Sequence, residues 1–315
     1  MHESLWVLTA AMPVYLIIAL GPVLRRTGAL RPDMDKGLMA IAVHLLFPCL
    51  ILDKMLGAEI LRDAGVVFSS AGIGFSMIVL GFGLAYMVAG LLGFQLGGGR
   101  RTFAVSCGIQ NYGFIAIPMT MYMFVDNDPV LAVLFTHNLG IELAIWTVGI
   151  MLIAGNKNPS WKSFLKGPVI AVLLGVLMVQ TGTDVFVPEI LRRVFTMLGM
   201  CAVPISLLLV GTTIHDLAKD VRFDWKVSCG GVAMRLVVLP MVMLCLAGFL
   251  PLAVELKQVM VIQAAMPAGV FPIVLSRHYG GRADVAMQVS VATTLVSLLT
   301  MPMIIYWGLR WVVPS

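Results

Sequence analysis

The sequence predicts an all-α polytopic membrane protein, with ten transmembrane helices that form a 5+5 inverted repeat. Three observations lead to this fold class. The 315-residue chain is 60% hydrophobic and only 12% charged, whereas soluble domains carry about 25% charged residues. Apolar segments of membrane-spanning length follow one another along the whole chain. Two of these segments have helix-breaking residues at their centres, so we predict broken helices that cross.

Ten apolar segments are long enough to cross a hydrocarbon core of about 30 Å, and we number them as spans 1 to 10. They are residues 5–24, 37–56, 65–93, 101–124, 129–153, 164–181, 189–213, 226–250, 255–276 and 284–310. Their connections are short and rich in turn-forming residues. We therefore predict one membrane domain over residues 1–315, with a first five-helix repeat in 1–154 and a second in 163–315.

The distribution of basic residues predicts the orientation of the chain. Most of the 21 lysines and arginines fall on one side, in connections or at the ends of spans, for example Arg25, Arg26, Lys162 and Lys166. Cytoplasmic loops carry such an excess of positive charge. We therefore predict a multi-pass protein of the cell inner or plasma membrane, with both termini on the outer (periplasmic or extracellular) side. Topology also explains the net charge of +5, and we expect no nucleic-acid partner.

Corresponding residues in the two halves of the chain indicate the repeat. Pro13-Val14 in span 1 matches Pro168-Val169 in span 6, and Pro118 in span 4 matches Pro272 in span 9. Because five spans is an odd number, the second copy must enter the membrane from the opposite side. The repeat is therefore predicted to be inverted.

Span 4 is interrupted near its centre by Gln110, Asn111, Tyr112, Gly113 and Pro118. Unwound backbone inside a membrane is tolerated only where it is buried in protein or lines a cavity. Breaks at the midplane, in corresponding positions of two halves, are typical of a transporter's binding site. We therefore predict that these five residues contribute to substrate binding.

Span 9 carries the matching break, with Gln263, Pro267, Ala268, Gly269 and Pro272. Each break leaves a half-helix N-terminus inside the membrane, where partial positive charge and unpaired N–H groups favour a carboxylate. Amide side chains can donate and accept hydrogen bonds there without the cost of a buried charge. These five residues are predicted to complete a binding site for a small organic anion.

The stretch from Gln263 to Val274, followed by Arg277-His278-Tyr279, closely resembles the ninth helix of the auxin efflux carrier family, which includes the PIN-like transporters. Asn111 and Pro118 resemble the crossover in the family's fourth helix, and Arg235 resembles a residue of its eighth. The chain lacks the long loop that plant members carry between helices five and six, and Gln110 stands where those members have a proline.

The resemblance implies a scaffold made of helices 1, 2, 6 and 7 and a moving domain made of helices 3, 4, 5, 8, 9 and 10. It also implies elevator-type efflux of organic anions and a homodimer formed through the scaffold helices. The substrate would bind where helices 4 and 9 cross.

Three polar residues inside spans are candidates for coupling or support, namely Asn138 and Glu142 in span 5 and Arg235 in span 8. Intramembrane charges are rare and mark functional sites. One interpretation is a buried Glu142–Arg235 ion pair that holds the moving domain together. The other makes Glu142 a carrier of a proton or cation, so coupling to protons or sodium stays open. Thr293 and Thr294 in span 10 could line the site, but membrane threonines usually bond their own backbone, and this is the favoured interpretation.

The sequence contains no nucleophile–base arrangement, phosphate-binding loop or cluster of metal ligands, so we predict neither an enzyme nor a cofactor or metal site. The predicted function is that of a secondary efflux carrier for a small, auxin-like carboxylic acid. One alternative is a sodium-coupled carboxylate symporter of the bile-acid type. A membrane receptor that binds its ligand without transporting it is the other.

Overall fold

The structure is a computed structural model that describes residues 2–124, 128–154, 166–220 and 223–313. These residues form helices and the turns between them. The helices are α1 His2–Thr27, α2 Pro32–Met55, α3 Ala64–Leu91, α4 Arg101–Gly108, α5 Ala116–Met123, α6 Pro129–Ala154, α7 Gly167–Thr181, α8 Glu189–Asp220, α9 Trp225–Phe249, α10 Val254–Ala265, α11 Phe271–Tyr279 and α12 Ala283–Val312.

Six of these helices, namely α2, α3, α6, α8, α9 and α12, are long and apolar enough to cross a membrane. Together with the absence of strands from the described residues, they confirm an all-helical protein of the polytopic membrane class. Helix α7 is apolar but shorter, at 15 residues. The count of ten spans and the inverted repeat remain predictions.

Spans 4 and 9 are each broken where the sequence predicts. Helix α4 ends at Gly108 and α5 begins at Ala116, while α10 ends at Ala265 and α11 begins at Phe271. Each half-helix is 8 to 12 residues long, or about 12–18 Å at 1.5 Å per residue. None of the four can cross the hydrocarbon core alone, so both pairs bring helix ends into the interior.

Local sequence explains several helix ends. Asp63 and Asp224 cap α3 and α9 by accepting hydrogen bonds from the backbone N–H groups of Gly65 at 2.7 Å and Lys226 at 2.8 Å. Helix α7 ends at Gly182, whose φ of 69° is the left-handed conformation that glycine adopts without strain.

Three long helices contain a wide π turn, at Ala42–Leu46 in α2, Ile145–Gly149 in α6 and Met234–Val238 in α9. Pro48 and Pro240 follow the first and the last of these turns, as expected for residues that lack an N–H group. Such turns are frequent at functional sites. Two of them carry residues that are important below, Trp146 in α6 and Arg235 in α9.

The helices pack as two groups. Helices α1, α2, α7 and α8 contact one another and form what we call the first group. Helices α3 to α6 and α9 to α12 form the second group. The groups meet mainly where α2 lies against α6 and where α1 lies against α5 and α12.

Glycine allows the closest helix contact in the second group, between α3 and α6. A Cβ atom on Gly140 would lie 1.8 Å from the carbonyl oxygen of Ala71, and one on Gly74 would lie 2.1 Å from that of His137. Close backbone approach through small residues is how membrane helices commonly pack.

We expect Gly140→Ala to destabilise the protein, because the new methyl group must push α3 and α6 apart. Overpacking of this kind typically costs about 1–3 kcal/mol. The measurement is thermal melting in detergent, with Gly83→Ala as the matched control, since a Cβ at Gly83 meets nothing within 4 Å. Equal melting temperatures for the two variants would contradict the prediction.

Candidate functional site

The two broken spans are joined where they cross. The backbone N–H of Asn111 donates to the carbonyl of Pro267 at 2.8 Å, and the N–H of Gly269 donates to the carbonyl of Ile109 at 2.9 Å. These two bonds make an isolated antiparallel bridge. Backbone groups that the breaks release from helices are therefore satisfied by each other, as a membrane interior requires.

Helix α12 forms hydrogen bonds with the backbone of the second break. The N–H of Ala268 donates to the hydroxyl oxygen of Thr293 at 3.1 Å, and the Ser290 hydroxyl donates to the carbonyl of Gly269 at 2.6 Å. Thr293 also donates to the carbonyl of Val289 at 2.6 Å. The interpretation of Thr293 as a residue bonded to its own backbone is therefore correct but incomplete. Ser290 was not predicted.

Asn111 stabilises the start of α5. Its side-chain oxygen accepts a hydrogen bond from the N–H of Ile115 at 3.3 Å, and its backbone carbonyl accepts from Ala116 at 3.2 Å. Helix N-termini leave amide groups without partners, and a side-chain oxygen commonly satisfies one of them. Because the oxygen is used in this way, the NH₂ group of Asn111 is the part of the amide left to contact a ligand.

Arg235 stabilises the end of α10. Its side chain is only 1% exposed. The guanidinium donates to the carbonyls of Met266 at 3.0 Å, Gln263 at 3.0 Å and Ala264 at 3.4 Å. Carbonyls at a helix C-terminus carry partial negative charge, and of these three only that of Gln263 also accepts from a described backbone N–H, that of Met266 at 3.3 Å. Arg235 therefore caps the first half of the second break.

The predicted ion pair between Glu142 and Arg235 is not formed. No carboxylate within the described ranges contacts Arg235, whose donors are bonded to carbonyls instead. The partial negative charge at the end of α10 favours the guanidinium at this position.

Glu142 binds two aromatic residues. Its carboxylate accepts a hydrogen bond from the Tyr112 hydroxyl at 2.5 Å and another from the Trp146 indole at 2.7 Å. Asn138 continues the network, donating to the carbonyl of Tyr112 at 3.1 Å and accepting from the Gln263 amide at 2.9 Å. The side chains of α6 therefore connect the first break to the second.

A cavity of about 360 Å³ lies beside the crossing, between the two helix groups. That volume is within the range of ligand sites for small molecules. Residues of α2 and α7 contribute one wall, which is apolar except for Lys166. The lining residues are Met39, Val43, Phe47, Ile51, Gln110, Asn111, Tyr112, Gly113, Phe114, Ile117, Phe135, Asn138, Leu139, Glu142, Lys166, Pro168, Val169, Val172, Gly269, Val270, Phe271 and Val274.

The predicted site residues divide between this cavity and the structure behind it. Those that line the cavity are Gln110, Asn111, Tyr112, Gly113, Asn138, Glu142 and Gly269. Those that lie outside its lining are Pro118, Arg235, Gln263, Pro267, Ala268 and Pro272. The second set shapes the breaks rather than facing the cavity, since Pro267 and Ala268 use backbone groups in the crossing.

Lys166 is a cavity residue that the sequence analysis counted only as a topology signal. It immediately precedes α7, and its ammonium nitrogen lies 4.5 Å from the ring centroid of Trp146 and 5.1 Å from that of Phe271. Its neighbour Pro168 also lines the cavity. In the sequence, the position of Lys166 two residues before Pro168 was the feature that could have indicated a place in the cavity.

Apolar helices of membrane-spanning length, two broken helices that cross, and a cavity beside the crossing define a polytopic membrane protein with an interior ligand site. Proteins of this class move or bind small molecules within the bilayer.

Comparison with protein families identifies which members of that class the chain belongs to. A family model described as membrane transport protein matches residues 6–160 and 156–305. The chain therefore belongs to this family, that of the auxin efflux carriers and PIN-like membrane transporters, as its resemblance implied. A comparison with curated proteins gives no match.

Proposed function

We propose that the protein is a secondary carrier that exports a small organic anion, such as a weak carboxylic acid, from a site where the broken helices cross. The observation that carries this proposal is the character of the cavity, which places the Lys166 ammonium and the Asn111 amide beside an otherwise largely apolar wall. Its large apolar part suits the organic body of such an acid.

Two amide donors of the first break have no acceptor among the described protein groups. The Gln110 amide nitrogen is buried and unpaired, and the Asn111 oxygen is already bonded to Ile115, which leaves its NH₂ group. The one carboxylate among the described lining residues, Glu142, accepts from Tyr112 and Trp146. Donors without partners are costly in an apolar interior, and a carboxylate bound in the cavity would satisfy the NH₂ group of Asn111.

Helix ends add to the preference for an anion. Helices α5 and α11 both begin beside the crossing, and their N-termini carry partial positive charge. Gly113 has open space where a Cβ would be, so a ligand can reach the backbone there.

For the transport cycle, we propose alternating access by an elevator-type movement of the second helix group against the first. The position of the cavity between the groups supports this, since relative movement would expose it to each side in turn. In this proposal α1, α7 and the two broken pairs join the six long helices to give ten spans in an inverted repeat. The first group would form a homodimer interface, and both termini would lie outside.

A counterflow assay in proteoliposomes tests the proposal. Proteoliposomes that contain the protein would be loaded with one unlabelled carboxylate from a panel. The labelled form of the same acid would then be added outside, at two pH values and with or without Na⁺. Saturable exchange of an acid without Na⁺ is the expected result. Strict dependence on Na⁺ would favour the sodium-coupled symporter, and binding without exchange would favour the receptor.

We propose that Glu142 supports the cavity wall rather than carrying a proton, because both of its oxygens hold neighbouring aromatic side chains. Glutamine can replace these bonds, since its oxygen accepts from Trp146 and its NH₂ donates to the Tyr112 hydroxyl. We expect Glu142→Gln to keep the pH dependence of transport and Glu142→Ala to lose most activity. The pH profile of exchange is the measurement, and an altered profile in Glu142→Gln would assign the carrier role to this residue.

A further inference from the structure

We infer that Lys166 selects for the negative charge of the substrate, holding its anionic group from the first helix group while the Asn111 amide holds it from the crossing. The inference rests on the proposed function and adds to it a residue that sets the preference for an acid over a neutral molecule of the same shape.

The surroundings of Lys166 contact its ammonium without using its hydrogen-bond donors. The ammonium lies over the faces of Trp146 and Phe271, at 4.5 and 5.1 Å from their ring centroids. Ring faces attract a cation through their negative quadrupole, and they leave its N–H groups free to bind an oxygen. In the parts of the chain that the structure describes, no carboxylate is ion-paired with Lys166 and no oxygen accepts from it.

The carboxylate of the cavity lining, Glu142, is bonded to other residues. Glu142 lines the same cavity, but its oxygens accept from Tyr112 and Trp146 rather than from Lys166. Trp146 therefore contacts both charges, with its N–H on the carboxylate and its ring face under the ammonium. This arrangement keeps Glu142 beside Lys166 without neutralising it through a direct bond.

Lys166 and the crossing belong to different helix groups. Lys166 immediately precedes α7 of the first group, whereas Trp146 and Phe271 belong to helices of the second group and Asn111 lies in the break between two of them. An anion held between Lys166 and the amides of the first break would contact both groups at once. Its charge would then be recognised by a full cation in an apolar surrounding, where such a contact is stronger than in water.

The test compares an acid with its primary amide, which has a similar shape and no charge. Competition by each compound against counterflow is measured for wild type, Lys166→Met and Lys166→Arg, with Lys226→Met as the control at an exposed lysine. Because both compounds are measured on the same sample, differences in expression or folding cancel in the ratio.

Wild type, Lys166→Arg and Lys226→Met are expected to prefer the acid, and Lys166→Met is expected to lose about tenfold or more of that preference, in line with a hydrogen bond to a charged group. An unchanged preference in Lys166→Met, or an equal loss in Lys166→Arg, would overturn the inference while leaving the carrier function intact. Failure of the proposed function looks different, since wild type itself would then exchange no acid, and both proposals would fall.

Discussion

Asn111→Ala is expected to abolish exchange of the substrate while the protein still folds and inserts into the membrane. The substitution removes the NH₂ group proposed to bind the anion and also the oxygen that accepts from Ile115. Loss of a hydrogen bond to a charged group costs about 1.5–3 kcal/mol, or roughly a tenfold to hundredfold change in affinity. Loss of the hydrogen bond from the Ile115 N–H destabilises the start of α5 by about 1 kcal/mol. Counterflow measures the first effect and thermal melting the second.

Asn111→Asp separates the two roles of this residue. Aspartate keeps an oxygen for the N–H of Ile115 and is favoured at a helix N-terminus, but it has no donor and would repel an anion. We expect this variant to melt like wild type and to exchange no acid. Gln95→Ala, which removes an exposed amide outside the cavity, should exchange normally. Normal exchange by Asn111→Asp would show that the donor is not needed.

The sequence predicted the membrane class and the two breaks because both depend on local composition. Long apolar segments with few charges are stable in the hydrocarbon core of a membrane. Clusters of Pro, Gly and amide residues inside such segments favour a break in the helix. Asn111 and Gly113 could accordingly be assigned to the cavity from their positions alone.

Partners between distant segments could not be predicted in the same way. Arg235 and Glu142 lie at a similar depth in different spans, and their opposite charges suggested a pair. The structure provides other partners for both, a helix end for Arg235 and two aromatic residues for Glu142. A prediction that pairs residues by opposite charge does not include the partial charge at a helix end. It also does not include the ring face that contacts Lys166.

Arg235→Met is expected to abolish transport while lowering the stability of the fold only in part. Methionine fills much of the same buried volume and removes the cost of desolvating a charge. It cannot donate to the carbonyls of Ala264 and Met266, whose unpaired state costs about 1–3 kcal/mol each. The end of α10 should therefore shift or extend into the break, which changes the backbone that Asn111 binds at Pro267.

Two further variants distinguish this cap from a simple need for positive charge near the cavity. Arg235→Lys keeps the charge but has a single nitrogen, so it cannot reach three carbonyls at once, and we expect it to lose most exchange as well. Arg277→Met removes an exposed arginine from α11, the second half of the broken helix that Arg235 caps, and should leave exchange unchanged. Full activity in Arg235→Lys would mean that charge is sufficient. Full activity in Arg235→Met would mean that the crossing holds without its cap, because its backbone bridge and the bonds from α12 to Ala268 and Gly269 would then be enough.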